Sequence, residues 1–149
     1  MSDPEPLPRA ATILGYCGFV PFAGLAAAVV VAPEPMDARA AFALLAYAAT
    51  ILSFLGGVHW GLAIAASTLT TSQRTFHLAL SVAPQLLGWS ALLAPLPYGF
   101  ALTAIGLLSV LVIDARAARK DFAPRWFMAL SWPLSSAAAT ALLIAAVAT

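Results

Sequence analysis

Three side chains able to exchange protons stand inside or beside apolar sequence: His59, His77 and Asp114. An ionisable group in lipid is costly to keep, so each is a candidate for function. Together they suit a polar pocket that holds a proton, an anionic headgroup or the edge of a cofactor. The plain alternative is that His77 and Asp114 are ordinary interfacial residues and His59 donates one hydrogen bond to a carbonyl. Sharper chemistries find less support. A bis-histidine haem needs two ligands at matching depth, and the two histidines present, His59 and His77, stand at different depths. Metal catalysis needs three or more ligands, and no HExxH or comparable spacing occurs. Ser53 and Ser81 lie in apolar segments without the motif that sharpens a serine nucleophile. Cation-coupled transport uses a carboxylate at mid-membrane, and the sequence places none there. No catalytic residue, no metal site and no cofactor is therefore expected.

The elements that must position these groups follow from composition. The chain of 149 residues is 62% hydrophobic and 9% charged, where a water-soluble domain carries roughly a quarter charged residues. So few charges could not solvate a globular surface, and a net charge of +1 is no footprint for nucleic acid. Five runs have the length of about 20 apolar residues that a bilayer crossing requires: Ile13–Val31, Ala40–Ala65, Phe76–Ala94, Tyr98–Ile113 and Trp126–Ala148. The expected fold is all-α, a polytopic bundle of five transmembrane helices in one domain, residues 11–149, after a disordered tail of residues 1–10. That tail has acids and prolines but no basic start and no small-residue cleavage site, so it does not read as a secretory signal.

Basic residues set the orientation. Arg9, Arg74, Arg116, Arg119, Lys120 and Arg125 fall on one side and Arg39 on the other, which predicts the N-terminus inside and the C-terminus outside. His59 then lies about six residues, or 9 Å, from the inner end of its span, with His77 and Asp114 near the same boundary. Cys17 is the single cysteine, so no intramolecular disulfide or thiolate metal site can form. Trp60 and Trp126 suit the inner aromatic belt and Trp89 the outer one.

Between apolar helices in lipid, small residues that let backbones approach become the glue. The second span has such a ridge at four-residue spacing, Ala49, Ser53, Gly57, Gly61 and Ala65, and Ser53, Gly57 and Gly61 are its candidate packing residues. His59 lies about 200° around the helix from Gly57, so it faces the other way. In the third span His77, Ser81, Pro84, Gln85 and Gly88 project within about 80° of arc, a polar stripe expected to face the interior. Gly99, Thr103, Gly106, Val110 and Asp114 share a face of the fourth. Pro21 and Pro133 are expected to kink their helices.

The segment Phe54-Leu-Gly-Gly-Val-His-Trp-Gly61 resembles the signature of a family of small multi-pass membrane proteins catalogued as a domain of unknown function. Its members include bacterial inner-membrane proteins and the mitochondrial transmembrane protein 69. Leu14-Gly15 through Pro21-Phe22, Tyr47, Ser81-Val-Ala-Pro84 with Trp89, Asp114 and Pro124-Arg-Trp126 carry the resemblance over nearly the whole chain. Family members have a Leu-Arg pair shortly after that last Trp, where this chain departs with Leu130-Ser131, so an intramembrane Arg partner for Asp114 or for a ligand does not carry over from the resemblance. It implies no established activity either, and it draws attention to His59 and Trp60.

The candidate polar site is therefore His59, Trp60, His77, Gln85 and Asp114. The expected function is that of a non-enzymatic accessory or assembly partner of a larger complex in the bacterial inner membrane. Its expected partners are the lipid bilayer and other membrane subunits or further copies of itself, with no nucleic acid. The alternatives are a homo-oligomeric channel or carrier gated by His59, whose side chain is of the type that changes charge near neutral pH, and a lipid- or quinone-binding protein.

Overall fold

The computed structural model describes residues 8–119 and 124–149. Five helices occupy them: α1 (Arg9–Val31), α2 (Met36–Ala65), α3 (Thr71–Leu93), α4 (Leu96–Arg119) and α5 (Arg125–Ala148). All five are long and apolar enough to cross a membrane. Each helix runs past the apolar stretch that marks it in the sequence, because hydropathy registers lipid and a helix continues into the interface wherever its residues favour it. Ala115-Arg-Ala-Ala-Arg119 are good helix formers, and they carry α4 six residues beyond Ile113. At the other extreme α1 starts at Arg9, within the stretch expected to be tail, and residues 1–7 lie outside the described residues. The turn between α3 and α4 is short, residues 94–95. α4 begins at Leu96 and takes Pro97 into its first turn, where a missing N–H costs nothing.

Helix α2, of 30 residues, is the hub and packs against all four others. The core is a ladder of Leu44, Leu45, Ala48 and Leu52 on α2 against Phe22 and Val29 of α1, Phe100, Ala104 and Leu107 of α4, and Ala138 and Leu142 of α5. Backbones approach closely where α3 meets α2 and again where it meets α4 at Gly99. A Cβ on Gly56 would stand 2.5 Å from the Ser81 carbonyl oxygen, so only glycine fits there. Tyr47 adds a polar tie, its hydroxyl donating to the Gly18 carbonyl of α1 at 2.7 Å.

Two expectations about facing are corrected. Gly57 and Gly61 are exposed, and a Cβ on either would meet nothing within 4 Å, while Ser53 is half-buried. The reason is geometric: at 3.6 residues per turn, a strict four-residue repeat precesses by about 40° at each step. Ala49 at the head of that line is buried and Ala65 at its foot is exposed. The buried line of α2 instead runs Leu45, Ala49, Leu52, Gly56, His59 and Ala63, with spacings that mix three and four. On α3 the buried line is Ser81, Pro84, Gly88 and Ala91. Gln85 falls beside it and is exposed. The predicted face of α4 is buried throughout, from Gly99 to Asp114.

Candidate functional site

The site is assembled by two helices that run in the same direction, α2 and α4, near their C-terminal ends. His59 follows Gly56 by three residues and so shares its buried face, and Asp114 ends the buried line of α4. Their side chains meet: His59 Nε2 and Asp114 Oδ1 are 2.7 Å apart, across 55 residues of sequence. Asp114 is 1% exposed and His59 7%. With Asp114 ionised, Nε2–H donates to Oδ1, and Nδ1 is then an acceptor on a neutral ring or a second donor on an imidazolium. The other carboxylate oxygen, Oδ2, is buried with no hydrogen-bond partner among the described residues. A buried carboxylate with one oxygen unmet is destabilising on its own, so Asp114 depends on His59.

The imidazole has a second exposure. It lies on the wall of a cleft of about 1030 Å³ bounded by α2, α3, α4 and the segment 66–69. Each helix contributes one stripe at helical spacing: His59, Leu62 and Ala65; Gln73, Phe76, His77 and Leu80; Ser109, Val112, Ile113 and Arg116. Because Nε2 is committed to Asp114, Nδ1 is the ring nitrogen that can meet a molecule in the cleft. His77 is half-buried on the same wall, in edge-to-face contact with Phe76. The structure thus brings His59 and Asp114 into contact and His77 onto their cleft. It does not bring Trp60 or Gln85 there, since both are exposed on the outside of the bundle. Neither lines the cleft. Among the described residues no three His, Cys, Asp or Glu side chains gather as a metal ion would require.

Arg74 had been grouped with the basic residues that set orientation, and the structure gives it a further task. Its guanidinium donates to the carbonyls of Ala63, Ile64 and Ala66 at 2.8–2.9 Å. These belong to the last turn of α2, whose carbonyls have no partner within the helix. α3 is prepared for this by its own start, a capping box of Thr70 and Gln73. The sequence signal was available: a Ser/Thr-x-x-Gln start with an arginine one residue on, just after a long helix. A second cavity, of about 370 Å³, lies between α1, α2 and α5 and is apolar apart from Ser131 and Ser135.

Fold and site together define a multi-pass helical membrane protein with a buried ionisable pair at the basic end of its bundle. Residues 7–147 match the family described as Protein of unknown function (DUF3429), and the chain belongs to that family. It is similar to Transmembrane protein 69 of Xenopus tropicalis, with 41% identity over 92 residues, covering 58% of this chain and 33% of that one. It is also similar to Transmembrane protein 69 of Mus musculus, with 27% identity over 123 residues, covering 83% of this chain and 49% of that one. The chain thus spans between a third and a half of the length of these curated relatives. No solved structure matches it.

Proposed function

We propose that this protein binds an amphipathic molecule of the lipid or quinone class and is not an enzyme. The observation that carries the reading is the His59–Asp114 pair, buried on one side and facing a cleft of ligand size on the other. A bundle that needed only to hold together would fill these positions with apolar side chains at no loss of stability. A carboxylate that orients a histidine towards an amphipathic cleft instead supplies a directed polar anchor. The basic end of the bundle faces the cytoplasm of a bacterial cell in this reading, supported by the excess of basic residues that the sequence assigns to that side. Native mass spectrometry of protein extracted gently from its own membrane tests it. A retained small-molecule adduct, lost in His59→Leu, is the expected result. Bare wild-type protein would overturn it.

An accessory role in a larger membrane complex is a second reading, favoured by Gln85. This side chain stands near the middle of a membrane-spanning helix, exposed and without a hydrogen-bond partner among the described residues. A polar amide facing lipid is unfavourable, and a neighbouring subunit would satisfy it. A photo-reactive residue in place of Gln85 should cross-link to protein in native membranes; recovery of lipid adducts alone counts against this reading. A gated pore draws less support. His59 lies inside the bundle, away from any axis shared between copies, and the opposite half is filled by Leu44, Leu45, Leu52 and Phe100.

A further inference from the structure

We infer that the molecule held in the cleft is an anionic glycerophospholipid, its phosphate at Arg116 and a neighbouring ester or glycerol oxygen at His59. The inference deepens the binding reading above and rests on it. Four observations carry it. Arg116 is exposed on the cleft wall and, among the described residues, has no hydrogen-bond or ion-pair partner. Arg74 nearby donates to three carbonyls, so among the described residues that line the cleft Arg116 is the guanidinium left to take a ligand. No acidic side chain lines the cleft among the described residues, and Asp114 is buried and not part of its wall.

The levels of the two polar groups complete the argument. α2 and α4 run parallel, and the contact between His59 and Asp114 fixes them at one depth. Arg116 is two residues nearer the basic end of the bundle than Asp114, about 3 Å of helix rise. An anion nearer the membrane surface and a neutral acceptor or donor a few ångströms deeper is the order of groups in a glycerophospholipid. Below and beside them Leu80, Val112 and Ile113 offer apolar wall to acyl chain. A basic pocket between spans on the positively charged side is also where anionic headgroups are recognised in membranes. A quinone has no anion for Arg116, and a free phosphate has no use for the apolar depth.

Competition native mass spectrometry of the purified full chain tests this, with phosphatidylglycerol and phosphatidylcholine of the same acyl chains, a ubiquinone, and inorganic phosphate as probes. Wild type should retain phosphatidylglycerol over phosphatidylcholine by about fivefold or more, the worth of one basic contact at the membrane surface. Arg116→Ala should abolish the preference and Arg116→Lys should restore much of it. Arg119→Ala, outside the cleft lining, should leave it unchanged. Circular dichroism of each variant excludes unfolding as the cause. Equal retention of the two lipids, or equal losses from Arg116→Ala and Arg119→Ala, overturns the inference. Displacement of the lipid by inorganic phosphate alone overturns the lipid as the source of the anion. Retention of ubiquinone and of neither lipid overturns the inference and leaves the binding reading standing. Retention of none of the probes, by a protein that also emerges bare from its native membrane, defeats both.

Discussion

Two sides of the same helix carry the same residue types to opposite ends. Gly56 and Gly57 are neighbours on α2, yet one is pressed against the Ser81 carbonyl of α3 and the other meets nothing. Three residues on, His59 is buried against Asp114 while Trp60 is exposed. A glycine or an ionisable group has no fixed meaning on a membrane helix, because its meaning comes from its azimuth. One side of α2 does the packing and holds the polar site. The other carries small and aromatic residues towards lipid or a partner.

Substitutions that treat the two sides alike should separate them, most strongly at the ion pair. His59→Leu strands a buried carboxylate and should cost about 3–5 kcal/mol of stability, read by reversible unfolding in micelles. Trp60→Leu should cost far less. The double variant His59→Leu/Asp114→Leu should recover most of the loss, because no charge is then left unpaired. At the helix crossing, Gly56→Val should cost about 3 kcal/mol through overpacking against backbone that cannot yield. An intermediate effect is expected at the C-terminus of α2, where Arg74→Ala removes charge-assisted bonds to three carbonyls and should cost about 2 kcal/mol. Arg74→Lys lacks the planar fork and should recover less than half of that. Gly57→Ala and Gly61→Ala should change stability by no more than about 0.5 kcal/mol. A large effect from either would show that the outer side is already engaged with a partner subunit.

The five spans were legible because a bilayer imposes length and apolarity locally, and no tertiary fact is needed to see them. The facing of α4 was legible too, since Gly99, Thr103, Gly106, Val110 and Asp114 break a run of four-residue steps with a three-residue one and stay on one side. The ridge on α2 misled because its unbroken four-residue step slides around the helix. On α3 Gln85 misled because it borders the buried line without belonging to it. The pairing of His59 with Asp114 could not be read at all. The sequence placed both near one boundary, but which helices stand beside each other, and at what rotation, is decided by packing across 55 residues. Arg74 was visible as a charge, and only the Thr70-x-x-Gln73 start before it hinted at a cap, since its partners are backbone carbonyls that every sequence has.

The length of α2 has a mechanical consequence. Its apolar part from Ala40 to Ala65 rises about 39 Å at 1.5 Å per residue, against a hydrocarbon core of about 30 Å. Only a lean of about 40°, the upper end of the range for membrane helices, would fit that stretch to an average bilayer. Since all the other helices pack on α2, they must lean with it, or the surrounding lipid must stretch its acyl chains to meet them. Bilayer thickness is therefore a control on this bundle, and changing acyl length in reconstituted membranes should move the basic end relative to the headgroups before it unfolds anything.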